Sequence, residues 1–290
     1  MYNIRKLLSN RYLRNGSWLF AYLIAIVILI HIFGGYLLRA EIRRNDLMGT
    51  RLLLLAGAPI ESVNDKGYTP LIYAALEGDN RLEIINILLA HHANIDARNN
   101  SGSTALIIAS LNKQQKTVKF LLSERANPNI VFKDGKTALF CSLYKEDKES
   151  LIALLQSGAN PNIQAQNGAS PLVTAMLLPD IEFTKILLLH GADVSYRTKN
   201  GMTPMHDAAE EGKVETMEYY LQYGADINAK TWDTGYTPLH FAVDNGHAEA
   251  VGFLLKHGAD KKVKTFKGNT ALDIAEKNNN QQIAQILKSN

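Results

Sequence analysis

The sequence predicts an all-α protein: a solenoid of short helix-turn-helix units preceded by one long apolar helix. Three observations carry that prediction. Glycines at 67, 102, 135, 168, 201, 235 and 268 are separated by 35, 33, 33, 33, 34 and 33 residues, a fixed spacing of the kind stacked repeats leave in a sequence. Each glycine opens a short helical run with a small residue seven positions on, and a second run rich in paired leucines follows. Ahead of the repeats, residues 18–38 form an apolar stretch whose only acidic or basic side chain is His31.

One unit shows the design most fully. From Gly201 the chain reads GMTPMHDAAEEGKVETMEYYLQYGADIN, with Thr-Pro opening a helix, Gly212 breaking it, and a second helix ending at Gly224-Ala225-Asp226. The opening recurs as GYTPLIYAA, GSTALIIAS, GKTALFCSL, GASPLVTAM, GYTPLHFAV and GNTALDIAE. These runs and their period resemble ankyrin repeats, whose signature is T-P-L-H-x-A over about 33 residues. The resemblance implies an ankyrin solenoid with short β-hairpin fingers between the units.

Composition fits that reading and excludes other classes. The chain has 290 residues, 46% hydrophobic and 20% charged, too apolar for a disordered protein. A net charge of +3 is too small to mark a nucleic-acid binder, and no nucleic acid is expected as a partner. Cys141 is the only cysteine, which rules out an intramolecular disulfide and a CxxC metal site.

Taken in order, residues 1–17 are a basic tail with Arg5, Lys6, Arg11 and Arg14 and no acid. Residues 18–38 are long enough to cross a hydrocarbon core of about 30 Å as a helix. Trp18, Tyr22 and Tyr36 stand near its ends, where interfacial aromatics belong. A secretory signal shares the basic start, but its apolar core is shorter and a small-residue cleavage site follows it. Here Leu38-Arg39-Ala40 supplies no such site, so the expectation is an uncleaved single-pass anchor. The short basic tail places the repeats outside the cytoplasm, in a bacterium on the periplasmic face of the inner membrane.

A partial repeat, residues 37–64, follows with almost no linker, its inner helix near 37–44 and its outer helix near 51–56. The ankyrin-repeat domain thus runs from 37 to 290, with full repeats from about 65. In these, Thr-Pro starts the inner helix, because a proline there gives up only an N–H that lacks a partner anyway. Alanine replaces it at Ala105, Ala138 and Ala271. The small residues are Ala74, Ala109, Ser142, Ala175, Ala208, Ala242 and Ala275, and they let neighbouring inner helices approach. Outer helices close on Gly-Ala, a left-handed cap; His92 and Arg125 replace that glycine, implying strain or a different cap. Extra residues fall near Asp79 and in the finger Thr231-Trp232-Asp233-Thr234, and Pro179-Asp180 replaces one inter-helix glycine turn. Residues 268–290 form a polar terminal cap of the kind a solenoid needs for solubility.

No catalytic or nucleotide-binding motif is present; the chain is expected to be no enzyme, with no cofactor, metal or small-molecule substrate. His91 and His92 are adjacent and cannot face one metal from a single helix. His206 and His240 lie in the TPMH and TPLH runs, where the resemblance implies hydrogen bonding within and between turns. Cys141 is a buried, inert thiol. Glu210-Glu211 are a solvated pair, and the lysines at 261, 262, 264 and 267 an ordinary charged solenoid end.

What remains is recognition of a protein partner of unknown identity. The resemblance places binding on finger tips and on exposed inner-helix positions of the concave face. Nine residues past each glycine stand Leu76, Leu111, Tyr144 and Leu177, then Glu210, Asp244 and Lys277. The apolar four, with Leu178, form the expected footprint, flanked by Tyr68, Met202, Trp232, Tyr236 and Phe266 on the fingers. The expected function is a membrane-anchored, non-enzymatic scaffold. The alternative is an accessory subunit of a membrane transport or channel complex.

Overall fold

The computed structural model describes residues 18–289, with side chains from residue 24. The basic tail and the side chains of Trp18 and Tyr22 lie outside the described residues. The chain divides after Lys133 into two compact units, and the described residues of both form helices joined by turns.

In the first unit, α1 (Trp18–Arg44), α3 (Pro70–Glu77) and α5 (Ala105–Leu111) are inner helices. The outer helices are α2 (Leu47–Leu55), α4 (Leu82–Ala90) and α6 (Gln115–Ser123). Inner helices pack in sequence, α1 on α3 and α3 on α5, and each also packs on its own outer helix. Thr69 accepts the Ile72 N–H at 3.2 Å and Thr104 the Ile107 N–H at 3.3 Å, which satisfies one of the donors that every helix start leaves open. That is the physical content of the recurring threonine.

The apolar helix and the first repeat are one element. α1 runs unbroken from the candidate membrane segment into the position of the first inner helix. Its face at Gly34 and Gly35 is buried. A Cβ on Gly34 would stand 3.0 Å from the Pro59 ring, and one on Gly35 would collide with the Ser62 hydroxyl. Leu38 and Ile42 are fully buried, and Arg39 donates to the Ser62 carbonyl at 2.9 Å. The two extra residues near Asp79 form a 3₁₀ turn, Asp79–Arg81. Its buried Arg81 donates from Nε to the Ile42 carbonyl and from Nη2 to the Arg43 carbonyl, both at 2.8 Å. The Ile42 carbonyl also accepts the Asn45 N–H at 3.1 Å, and a charged donor on these last-turn carbonyls caps the end of α1. The insertion therefore clamps the first helix to the second repeat.

The second unit repeats the plan five times: α7 (Ala138–Tyr144) with α8 (Lys148–Gln156), α9 (Pro171–Met176) with α10 (Glu182–Leu189), and α11 (Pro204–Glu210) with α12 (Val214–Gln222). Then come α13 (Pro238–Asp244) with α14 (Ala248–Lys256), and α15 (Ala271–Lys277) with α16 (Gln281–Ser289). α16 buries Ile283, Ala284 and Leu287 and turns Gln281, Gln282 and Gln285 outward.

The fingers differ from the expected β-hairpins, since the described residues contain no strand. A finger closes on two backbone bonds: Asn99 N–H donates to the Ser103 carbonyl at 3.0 Å while Gly102 N–H donates to the Asn99 carbonyl at 2.9 Å, and Thr198, Met202 and Gly201 repeat the pattern. Neighbouring tips share one more: Asn100 N–H to Lys66 O at 3.2 Å, Trp232 N–H to Asn200 O at 2.7 Å. One bond per junction makes a hairpin-shaped turn but no ladder.

His92 and Arg125 also differ from one of the two expectations. Both adopt φ 66°, the left-handed cap that glycines occupy at Gly57 and Gly158, so the cap is the same and the strain lies in the side chain. Arg125→Gly is expected to raise the chemical unfolding midpoint by up to about 1 kcal/mol of stability. Gly158→Ala, where an added Cβ meets nothing within 4 Å, should cost about 1 kcal/mol through φ alone. Equal midpoints for both variants and wild type would show that these caps carry no strain.

Candidate protein-binding surface

In every repeat the last turn of the inner helix leaves one side chain facing out. Leu76 and Leu111 hold that place in the first unit, exposed and half-buried respectively. In the second unit Tyr144 is 49% and Leu177 57% exposed, while the later repeats carry Glu210, Asp244 and Lys277 there. Tyr144 is held from two sides. It stacks on the buried Phe140 at 6.2 Å, and the Lys136 ammonium lies 4.9 Å from its ring centroid. Such an aromatic, fixed on a helix end and half in water, suits an anchor. Leu178 does not join Leu177; it turns into a shallow cleft of about 300 Å³ beside Pro179, Ile181 and Lys213. Pro179 ends the helix and Asp180 pairs with Lys148, an ion pair that holds the carboxyl of Asp180 below the usual carboxylate range.

The finger aromatics have a role that spacing alone did not show. Trp232 lies over Gly201 of the preceding finger, with its ring carbon Cγ 2.7 Å from where a Cβ would stand. Phe266 covers Gly235 in the same way, at 2.9 Å. Both rings still leave most of their surface in solvent, 62% and 66%, so each seals a seam and presents an apolar face at once. Tyr236 is half-buried, packed at 5.5 Å from His240 and 5.4 Å from Phe241. Tyr68 and Met202 are half-buried at their turns. Of these five finger side chains, Trp232 and Phe266 are the exposed ones.

Of the two motif histidines, His206 bonds both within its turn and to the next repeat as the resemblance implied, and His240 bonds only within its turn. His206 Nδ1 accepts the Thr203 N–H at 3.0 Å, which fixes Nε2 as the protonated nitrogen and lets it donate to the Tyr236 carbonyl of the next repeat at 3.2 Å. His240 Nδ1 accepts the Thr237 N–H at 3.1 Å, and its buried Nε2 has no partner within hydrogen-bonding distance. Cys141 is buried, and that burial pushes its thiol up to about 12, so it carries no thiolate at neutral pH. Among the described residues no group of three His, Cys, Asp or Glu side chains could hold a metal ion. Lys261 is no free cation, for its Nζ caps the Leu287 carbonyl at 2.9 Å.

Stacked helical hairpins with a turn at each junction, sealed seams and outward-facing apolar side chains define a repeat scaffold for protein recognition. The chain belongs to the ankyrin-repeat family. Models described as ankyrin repeats (3 copies) match residues 38–134, 80–165 and 138–231, and one described as ankyrin repeats (many copies) matches 231–275. Among solved structures it is similar to the human ASB11 ankyrin repeat domain, at 26% identity and a TM-score of 0.62, over 77% of this chain and 97% of that one. Comparison with curated proteins returned no match. The chain is thus an ankyrin-repeat interaction domain, a fold that typically serves as a non-enzymatic scaffold, and its partners are proteins. The fold itself names no partner.

Burial sets two neighbours of the seam against each other in acid. It holds the imidazolium of His206 down to about 4. The carboxyl of Asp207 is raised to about 7, first by burial and then by Glu210 and Glu211. Unfolded, His206 takes up its proton near 6.5, so its contribution to stability is lost as pH falls from there towards 4. Asp207 works the other way: unfolded, it ionises near 3.8, so its contribution is present below that and is lost as pH rises towards 7. The pair should therefore contribute little net pH response between pH 4 and 7. Asp207→Asn should lose stability on acidification and His206→Gln should gain it, each by at least about 1 kcal/mol in urea titrations at pH 4.5 and 7. The same slope in both variants would remove the opposition.

Proposed function

We propose that this chain is a membrane-anchored, non-enzymatic scaffold that holds a protein partner on exposed inner-helix ends and finger tips. One observation carries the reading. The helix-end position that is charged in the last three repeats is apolar in the first four full repeats, and Tyr144 and Leu177 leave about half of that apolar surface in water. Surface of this kind on rigid elements marks an interaction site. Trp232 and Phe266 add aromatic faces on the fingers. The anchor is α1, whose segment Ile24–Arg44 is long and apolar enough to cross a membrane and whose exposed side chains include Val27, Leu29, Ile32 and Phe33. The repeats then lie on the extracytoplasmic side.

A photo-crosslinking residue at position 144, followed by mass spectrometry, identifies the partner. Against it, Tyr144→Ala and Leu177→Ala should each weaken binding at least tenfold, about 1.4 kcal/mol, with little change in unfolding midpoint. Leu187→Ala, in the buried face of α10, should lower the midpoint instead. Unchanged affinity in both surface variants would move the footprint elsewhere.

Orientation is tested separately. Reporters fused after residue 290 should be active only where the reporter works outside the cytoplasm. Activity from a cytoplasm-dependent reporter alone would reverse the topology.

A further inference from the structure

The outer helix of the first repeat carries a stripe that its neighbours lack. Met48, Leu52 and Leu55 of α2 are 64%, 57% and 75% exposed and, with exposed Arg51, stand three or four residues apart on one face. The buried residues of the helix, Thr50 and Leu54, lie on another side. Counting back from the left-handed caps at 57, 92 and 125, Met48 corresponds to Glu83 in α4 and Lys116 in α6. Leu55 corresponds to Ala90 and Ser123. Leu52 corresponds to Ile87, buried in α4, and Phe120, half-buried in α6, so of these three helices only α2 exposes long apolar side chains at all three places.

Position explains the difference. α2 runs back along α1 from the turn at Asn45-Asp46, so its C-terminal end points towards the apolar segment. There Ala56 and Gly57 share a cavity of about 530 Å³ with Val27, Ile28, His31 and Ile32 of α1. Beyond α2, Ala58, Pro59 and Ser62 sit against Gly34 and Gly35. A hydrocarbon core about 30 Å thick takes about twenty helical residues, which, counted from Trp18, brings its edge to the level of Tyr36 and Leu37. The end of α2, whose Ala56 and Gly57 stand beside residues 27–32 of α1, is then about one to three helical turns inside that edge, with Arg51 nearer to it and no linker in α1 to lift the helix clear.

We infer that the Met48-Arg51-Leu52-Leu55 face of α2 lies in the membrane interface, its leucines among acyl chains and Arg51 at anionic headgroups. An apolar face with a cation on its flank is the pattern of a helix seated in the interface, about 5–10 Å below the headgroups. The inference rests on the membrane reading of α1 and adds a second lipid contact, one that sets the height and tilt of the first unit.

The test separates the two claims. In a Cys141→Ala background, single cysteines replacing Leu29, Leu55 and Leu189 are labelled with an environment-sensitive fluorophore. The full chain is then placed in vesicles of phosphatidylcholine and phosphatidylglycerol with brominated acyl chains. Leu189, an exposed leucine at the same repeat position in α10, is the water-facing control. Positions 29 and 55 should be quenched and 189 should not, and Arg51→Glu should reduce quenching at 55 alone. Quenching at 29 with 55 matching 189 overturns the interfacial helix and leaves the anchor standing. No quenching at 29 removes the anchor reading and this one with it. In unlabelled protein treated with a mild oxidant, a 55–55 disulfide between two copies means that a second copy covers the stripe, and also overturns it.

Discussion

Close approach of the inner helices is the constraint on which the rest depends. The residue seven places past each turn glycine is Ala74, Ala109, Ser142, Ala175, Ala208, Ala242 or Ala275, and all seven are fully buried. A larger side chain there would part the helices and open both the outer-helix contacts and the finger seam, because packed interiors have no slack to absorb added atoms. Ser142 fits only because its hydroxyl turns back onto the Leu139 carbonyl at 2.7 Å. The matching position of α1 is Glu41, half-buried and paired with Arg44 at 2.9 Å. α1 is the first inner helix among the described residues, so a long side chain is tolerated at that place.

This constraint also made the fold readable. A small residue, a turn glycine and a Thr-Pro start, locked to one period, are local requirements that each unit must meet separately, so they are written once per repeat. Features joining one unit to the next are not written that way. That Trp232 would cover Gly201, or that His206 would reach the Tyr236 carbonyl, depends on which atoms the stacking brings together; the motif marked the histidine, but nothing local marked the tryptophan's target. The extra residues near Asp79 were visible as a break in the spacing, whereas the use of Arg81 as a cap on α1 was not. The left-handed caps at His92 and Arg125 were visible only as missing glycines.

The candidate surface was legible to a similar degree. Periodicity found the outward position, and Tyr144 and Leu177 face out there. It grouped Leu178 with them, yet two residues past the end of α9 the backbone has turned and the side chain lines a cleft beside Lys213. Tyr236 was grouped with Trp232 as a finger aromatic, but its ring packs between its neighbours' rings. An aromatic in a turn can serve the seam, the surface or both, and only its neighbours decide which.

The clamp on α1 has a mechanical consequence. Repeat domains usually reach their attachment through a chain segment that can bend, so that a pull or a twist at one end is lost before it reaches the other. Among the described residues of the first unit no such segment separates the apolar part of α1 from the repeats. The glycine face against Pro59 and Ser62, the buried Leu38 and Ile42, and the Arg81 guanidinium across the final turn make α1 a stiff shaft keyed into its load. Rotation or tilt of the shaft carries the first unit with it, and torque on that unit returns along the same helix.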